Sequence, residues 1–540
     1  MNRINLTLFR LGCMAALAVT FLYTAHSTLA DLGAGDFEPP SPLLLGWVLI
    51  LALTTYVSFV HLTPGDSRPT THGSARWATA RDIGRLLRGK NAPLEPGSIA
   101  LAPFGWFRKV VLPHFLAQMH VLLLAPSGSG KTRGTIMTNI CQAVLHSLVA
   151  TDPKNELWQN VSGYHPRPLR YAPLDPDHSE PFNWIPLCQD ERLAQLLAAA
   201  VMQPEENGRE EPFWKYLELQ LCSGIFSHAA YLDTPTPLAA YQLLRLGADD
   251  ILEPLHSSPS EQARTIGKLL SDLKVETRGG VLAGVANRLT FLQLPGVRRF
   301  TSANFESPDF TELLDRPTAL FWSVHEQDTA QLKPLSSLFF TLMLDQLGRQ
   351  TGPVPVTLFL GEFASLGRIP DFPTTISVAR GRGLSLVLGL QSIRQLDTLY
   401  GRDAADVIQE QCATKIVLHG LYGESAESIS RALGETTVSQ EFPTHHPDGM
   451  FVSHTTFSEQ HVKRALLTAD EVRRIGDNET LLIVSNYRPI RAGRWWWKGD
   501  PKPAATRSLG QAHQATPSDR QHPRLRMLTD DLNRLDKEAS

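Results

Sequence analysis

The chain has 540 residues, more than one compact core holds, and is read as two or three units. Its composition is that of an ordinary globular protein, and the formal net charge of -3 excludes a global attraction to nucleic acid; any such site must be a local patch. The five cysteines, Cys13, Cys141, Cys188, Cys222 and Cys412, lack C-x-x-C spacing, which argues against a disulfide framework or a zinc site and for a reducing compartment.

Two apolar runs open the chain, "LGCMAALAVTFLYTA" and "PLLLGWVLILALTTYVSFVHL", separated by the acidic stretch "DLGAGDFEPPS". The second, Leu43 to Leu62, contains no acid, Lys or Arg and meets the length of roughly 20 apolar residues that a spanning helix needs. The first is shorter and starts at Arg10, so a spanning helix and a signal peptide ending near Ala30 are both open readings. Arg3 and Arg10 precede the runs; Arg68, Arg76, Arg81, Arg85, Arg88 and Lys90 follow them; Asp31, Asp36 and Glu38 lie between. By the positive-inside rule the large remainder is expected on the cytoplasmic side under either reading.

"HVLLLAPSGSGKTRGTIMTNICQAVL" reads as an apolar strand, a small-residue loop and an amphipathic helix. Its core is Ala125-Pro126-Ser127-Gly128-Ser129-Gly130-Lys131-Thr132, a phosphate-binding loop with Ala125 where the first glycine would stand. Glycines let successive N–H groups face phosphate oxygens, Lys131 reaches the outer phosphates, and the Thr132 hydroxyl ligates magnesium. A second strand, "HSLVATD", places Asp152 at the carboxyl edge of a parallel sheet, where ligands bind; a cap on the following helix is the competing role.

Apolar residues at three- and four-residue spacing then run from "DERLAQLLAAAVMQ" to "EQARTIGKLLSDLKVETRGGVLAGVANRLTFL", which predicts an all-α insertion. Within it Arg264, Lys268, Lys274 and Arg278 are mixed with acids, as on a solvated helix face. Strand-like runs return at "TALFWSV", "PVTLFLG", "LSLVLGLQ", "TKIVLHG" and "TLLIVSNYR", predicting a parallel sheet covered by helices. "RAGRWWWKG" combines cations with Trp495, Trp496 and Trp497; packing at a strand end or interface is favoured over base stacking. Beyond it the chain is rich in Pro, Ala, Ser and Gln, as in a flexible tail.

The order of "HGSARWATARDI", "HVLLLAPSGSGKT", "DPKNELW", "FNWIPL", "GEFASLGR", "ARGRGLSLVLGLQS", "GESAESISRALGETTV" and "RALLTADEVRRI" resembles the TraG/TraD-like coupling proteins of type IV secretion and conjugation. The resemblance implies an α/β fold: a RecA-like P-loop NTPase domain with an inserted all-α domain, preceded by two N-terminal transmembrane helices. The expected units are a membrane anchor (1–64), a first nucleotide-binding part with Walker A (65–184), the all-α insertion (185–300), a second nucleotide-binding part with Walker B (301–495) and a tail (496–540). It further implies ATP and Mg2+ as ligands, a homo-hexameric ring at the bacterial inner membrane, and delivery of relaxase-bound DNA or protein effectors to the secretion channel.

Carried over residue by residue, Lys131 and Thr132 match the phosphate and magnesium residues, Glu362 the acid that positions water, and Gln391 the polar sensor of the outer phosphate. Arg380 and Arg382 are candidates for an arginine offered to a neighbouring subunit, with a solvent-facing basic loop as the alternative. One position departs from the pattern. The Walker B strand of the family ends in Asp-Glu, and this chain has Gly361-Glu362. A hydrolysing motor, with Asp152 supplying the missing charge, and a nucleotide-binding receptor that turns over slowly are the competing expectations; a segregation motor is a weaker third.

Overall fold

The computed structural model describes residues 70–203, 211–302, 307–447 and 453–497. Both apolar runs of the N-terminus, and the tail beyond residue 497, lie outside the described residues. Among the described residues no helix is long and apolar enough to cross a membrane.

The described residues divide into two units, a larger one within 75–436 and 465–497 and a smaller one within 70–74 and 437–464. In chain order the described strands are β1 (Leu87–Gly89), β2 (Ile99–Phe104), β3 (Arg108–Leu112), β4 (Val121–Leu124), β5 (Ser147–Thr151), β6 (Pro168–Tyr171), β7 (Ala319–Trp322), β8 (Val356–Leu360), β9 (Leu384–Leu390), β10 (Thr414–Val417), β11 (Glu435–Pro447), β12 (Ser453–Ala465), β13 (Glu479–Val484) and β14 (Ile490–Gly493). Strands β11 and β12 form a two-stranded sheet, and β1, β3 and β2 form a small antiparallel sheet. All the others join one sheet in the order β14-β13-β10-β4-β9-β8-β5-β7-β6.

From β10 through β6 every pairing in this sheet is parallel. The reason is visible in the strands themselves: Val121–Leu124, Ser147–Thr151, Val356–Leu360 and Leu384–Leu390 are buried at every position, as strands covered on both faces must be. "TLLIVSNYR" is a correction to the expected parallel set: β13 pairs antiparallel with β10, and β14 antiparallel with β13. Two reversals have a consequence for the site. Because β14 again runs in the direction of β4, the chain leaving β14 emerges at the carboxyl edge of the sheet.

Between β6 and β7 the chain is helical, including Glu191–Val201, Pro212–Ala229, Glu261–Ser271 and Val275–Arg288. Its apolar side chains do not make a core of their own. Leu197, Leu221, Ile225 and Phe226 belong to one buried cluster with Leu358, Leu360 and Leu386 of the sheet. The helix Thr329–Arg349 joins the two layers and is therefore buried almost all round, without a break from Leu335 to Leu344. Trp322 at the end of β7 stacks on Phe339 of this helix at 4.2 Å, and its indole N–H donates to Ser336 Oγ at 3.1 Å.

Arg278 departs from the expected solvated face. It is buried, and its guanidinium donates to the carbonyls of Leu273 (2.8 Å) and Ala248 (3.1 Å) and pairs with Asp249. Leu273 lies just beyond Asp272, the C-cap of the helix Glu261–Ser271, so Arg278 meets a carbonyl of the turn that follows that helix.

Candidate functional site

The phosphate loop follows β4 and turns at two glycines of positive φ, Gly128 (75°) and Gly130 (76°). Ala125 at its start is buried and donates its N–H to Leu390 O of β9 at 3.0 Å, so the side-chain methyl replaces the first glycine without disturbing the strand exit. Ser129 closes the turn, its hydroxyl donating to Pro126 O at 2.6 Å. Pro126 is half-buried and Ser127 exposed, which leaves the outer side of the loop open.

Lys131 is buried and its ammonium donates to Ala125 O at 2.9 Å. It also lies 3.2 Å from Glu362 Oε1. The other oxygen, Glu362 Oε2, accepts from Gln391 Nε2 at 3.2 Å. Lys131, Glu362 and Gln391, which stand far apart in the chain, thus form one continuous row of polar side chains.

Strand order produces this row. β9 lies between β4 and β8, so Gln391 at its end sits between the loop after β4 and Glu362 after β8. The turn after Glu362 is fixed from below, where Phe363 is buried against Phe372 (4.8 Å) and Tyr400 (6.2 Å). Gln391 is held at its own N–H, which donates to Gln395 Oε1 at 2.8 Å.

Asp152 has a different engagement. Its carboxylate accepts from Trp158 N–H at 2.8 Å and is buried over the first turn of the helix Glu156–Val161. Burial raises its pKa to about 6, against the lowering influence of the N–H groups of Trp158, Leu157 and Glu156. Of the two roles open from the sequence, this is the helix cap. Its carboxylate is engaged by N–H groups of that helix.

Gly361 is packed, not open. Its N–H donates to Thr151 Oγ1 of β5 at 2.9 Å, and a Cβ built on it would come 2.7 Å from Ile136 Cδ1. Ile136 belongs to the helical turn after the loop and is itself buried. On the neighbouring strand a Cβ at Gly389 would overlap the Gly361 carbonyl. A side chain at Gly361 would therefore begin against the Ile136 methyl, while the close backbone lies at Gly389.

Arg380 and Arg382 are exposed at the end of the helix Phe372–Gly381, before β9 starts, whereas Gln391 follows its end. Seven extended residues separate the two edges by roughly 20 Å. The structure does not bring these arginines to the loop of their own chain.

The segment after β14 was not among the sequence candidates for the nucleotide site, yet it lies on the loop. Trp497 N–H donates to Arg133 O at 3.0 Å, and a Cβ at Gly134 would meet Trp495 O at 2.9 Å. The cation-and-tryptophan composition of "RAGRWWWKG" was the available signal; it carried no indication of where the strand before it would end.

A parallel sheet with this strand order, a phosphate loop after β4 and an acid after β8 define a RecA-like P-loop nucleotide-binding protein. The model of the family described as Type IV secretory system Conjugative DNA transfer matches residues 82–522, and the chain belongs to that family. It is 27% identical over 522 residues to a conjugal transfer protein TraG of Escherichia coli, covering 85% of this chain and 80% of that protein. To the TraG of Rhizobium radiobacter it is 24% identical, over 79% of this chain and 72% of the relative. Among solved structures it is similar in fold to the bacterial conjugative coupling protein TrwB in an unbound form (TM-score 0.62, 19% identity, 78% of this chain and 92% of that one). It is also similar to TrwB in complex with ADP and Mg2+ (TM-score 0.61, 19% identity, 77% and 91%).

Proposed function

We propose that this chain is the ATP-binding coupling protein of a conjugation or type IV secretion system, anchored in the inner membrane with its bulk in the cytoplasm. It delivers relaxase-bound DNA or protein effectors to the channel. The observation that carries the nucleotide part is the Lys131–Glu362–Gln391 row at the carboxyl edge of the sheet. A triphosphate in the loop takes Lys131 from Glu362, which leaves the Glu362 carboxylate to orient water and Gln391 to contact the outer phosphate. Thr132 is the protein's ligand for magnesium, an ion that binds few protein groups and keeps most of its water. TraG relatives are named for conjugal transfer, and the TrwB structure carries ADP and Mg2+; both support the reading.

The absence of an acid at Gly361, with Ile136 against it, favours a second reading: a receptor that binds nucleotide and turns over slowly. On this reading Arg380 or Arg382 serves a neighbour's nucleotide in a homo-hexameric ring; both are exposed, which supports it. DNA-stimulated ATP hydrolysis by the full-length protein in detergent, with Lys131→Ala as the blank, separates the two. Turnover above the blank that falls 100-fold or more in Glu362→Gln, with ATP binding kept, supports the motor. ATP binding without turnover supports the receptor, and equal binding by the wild type and the blank removes the loop from both.

A further inference from the structure

Arg494 follows β14 and is 7% exposed. Among the described residues one end of its guanidinium is satisfied: Nη1 donates to Asp477 O at 2.9 Å. Nε and Nη2 are buried and have no hydrogen-bond partner among the described residues. Burying donors of a cation without acceptors is costly, and such groups are rare enough in folded proteins to require a reason. Burial also pushes the pKa of this side chain below its ordinary value, but a guanidinium remains charged at any working pH.

The unpartnered side faces the phosphate loop. A Cβ added to Gly130 would overlap Arg494 Nη2 and would meet Trp496 Cζ3 at 3.4 Å. Gly130 is the residue before Lys131, and its backbone lines the place where phosphate oxygens are held. The guanidinium is fixed in that direction: the Trp496 ring lies 4.1 Å from Arg494 Cζ, and the Trp496 indole N–H donates to Asn478 Oδ1 at 3.1 Å. Charge completes the argument. Lys131 is already paired with Glu362, and the Asp477 carboxylate acts on Arg494 only through space, so the Nε and Nη2 donors of this cation beside the loop have no acceptor among the described residues.

We propose that Arg494 is a nucleotide-binding residue, contributed by the C-terminal end of the same chain, whose Nη2 and Nε donate to phosphate oxygens of the nucleotide in the loop 125–132. The inference rests on the ATP site proposed above and assigns that site a second cation. Trp495 to Trp497 serve as its mount: their contacts with Arg133 and Gly134 keep the segment on the loop.

The test uses full-length protein in detergent and measures binding of ATP, ADP and inorganic phosphate, each with magnesium, together with the unfolding temperature with and without ligand. Arg494→Ala is expected to weaken ATP and ADP about tenfold or more, the scale of losing charge-assisted hydrogen bonds. Its unfolding temperature without ligand stays near that of the wild type, while the rise on adding ATP shrinks. Arg494→Lys keeps the charge but not the planar fork and is expected to recover part of the affinity; it also serves if the alanine variant does not fold. Unchanged or tighter ATP binding by Arg494→Ala, with binding lost in Lys131→Ala, overturns the inference and leaves the ATP site standing. Binding unaffected by Lys131→Ala removes the loop site and the inference together. Weakening of inorganic phosphate alone, with ATP and ADP unchanged, also overturns it, because the contact would then be to a free anion.

Discussion

Gly361 and Gly389 stand opposite one another at the ends of β8 and β9, whose register pairs Leu360 with Leu388. At Gly389 the Gly361 carbonyl blocks any side chain, whereas at Gly361 a Cβ meets the end of the Ile136 side chain, which must turn aside. A carboxylate at Gly361 therefore enters with a shift of the Ile136 side chain. Gly361→Asp alone is expected to lower stability by about 1–3 kcal/mol, as small-to-large changes in packed sites do. Ile136→Val removes the methyl in the way, and Gly361→Asp with Ile136→Val should recover at least half of that loss in denaturant unfolding. If the absent acid limits turnover, ATP hydrolysis rises in the double variant more than in either single one; equal rates in all four proteins would show that the acid is dispensable.

At the scale of elements, the short helix Glu156–Val161 is held by a residue outside it. Its preceding residue Asn155 is left-handed (φ 56°) and caps nothing with its side chain, so the first-turn N–H groups are met by Asp152 from the end of β5. Asp152→Ala is expected to cost about 1–2 kcal/mol in chemical unfolding, the usual cost of a lost cap, with ATP affinity changed by less than about threefold. Asp152→Asn keeps an acceptor and should cost less. A large loss of magnesium-dependent ATP binding in Asp152→Asn, with stability preserved, would return this residue to the metal site.

The helical layer and the sheet also act as one element of packing. An all-α insertion was legible from the spacing of "DERLAQLLAAAVMQ" and its successors, because helical periodicity is local. That these helices share a core with β8 and β9 was not, because nothing local says which apolar face meets which. The same limit hid Arg278, whose value as a partner for Leu273 O depends on where two helices end.

The whole larger unit carries an acid-sensitive set of buried imidazoles. Burial lowers His120, His146 and His165 to about 4 each; His146 faces His165 and His114, and His120 feels Arg380. A group depressed in the folded state loses its contribution as pH falls, here from about 6.5 toward 4, because the unfolded chain binds the proton first. Asp152, raised to about 6, works in the opposite direction over part of the same range, favouring the folded state as pH falls. Three imidazoles outweigh one carboxyl, so the unfolding temperature is expected to fall steadily between pH 7 and pH 5. His146→Leu should flatten that slope; an unfolding temperature independent of pH over this range would contradict the assignment of these side chains as buried and neutral.

By itself the sequence determined the chemistry that neighbouring residues make: the loop 125–132 with its lysine and threonine, the continuous apolar strands that require a covered parallel sheet, and a strand ending in Gly361-Glu362. Each depends on a few adjacent side chains and on backbone freedom, which a linear pattern records. The tertiary structure alone decided that β9 runs between β4 and β8, that Ile136 lies against Gly361, and that two antiparallel strands return the chain so that Arg494 faces Gly130. Those facts come from pairings and contacts between separate elements, several of them between residues more than two hundred positions apart, chosen by the packing of whole faces, and no short stretch of chain contains them.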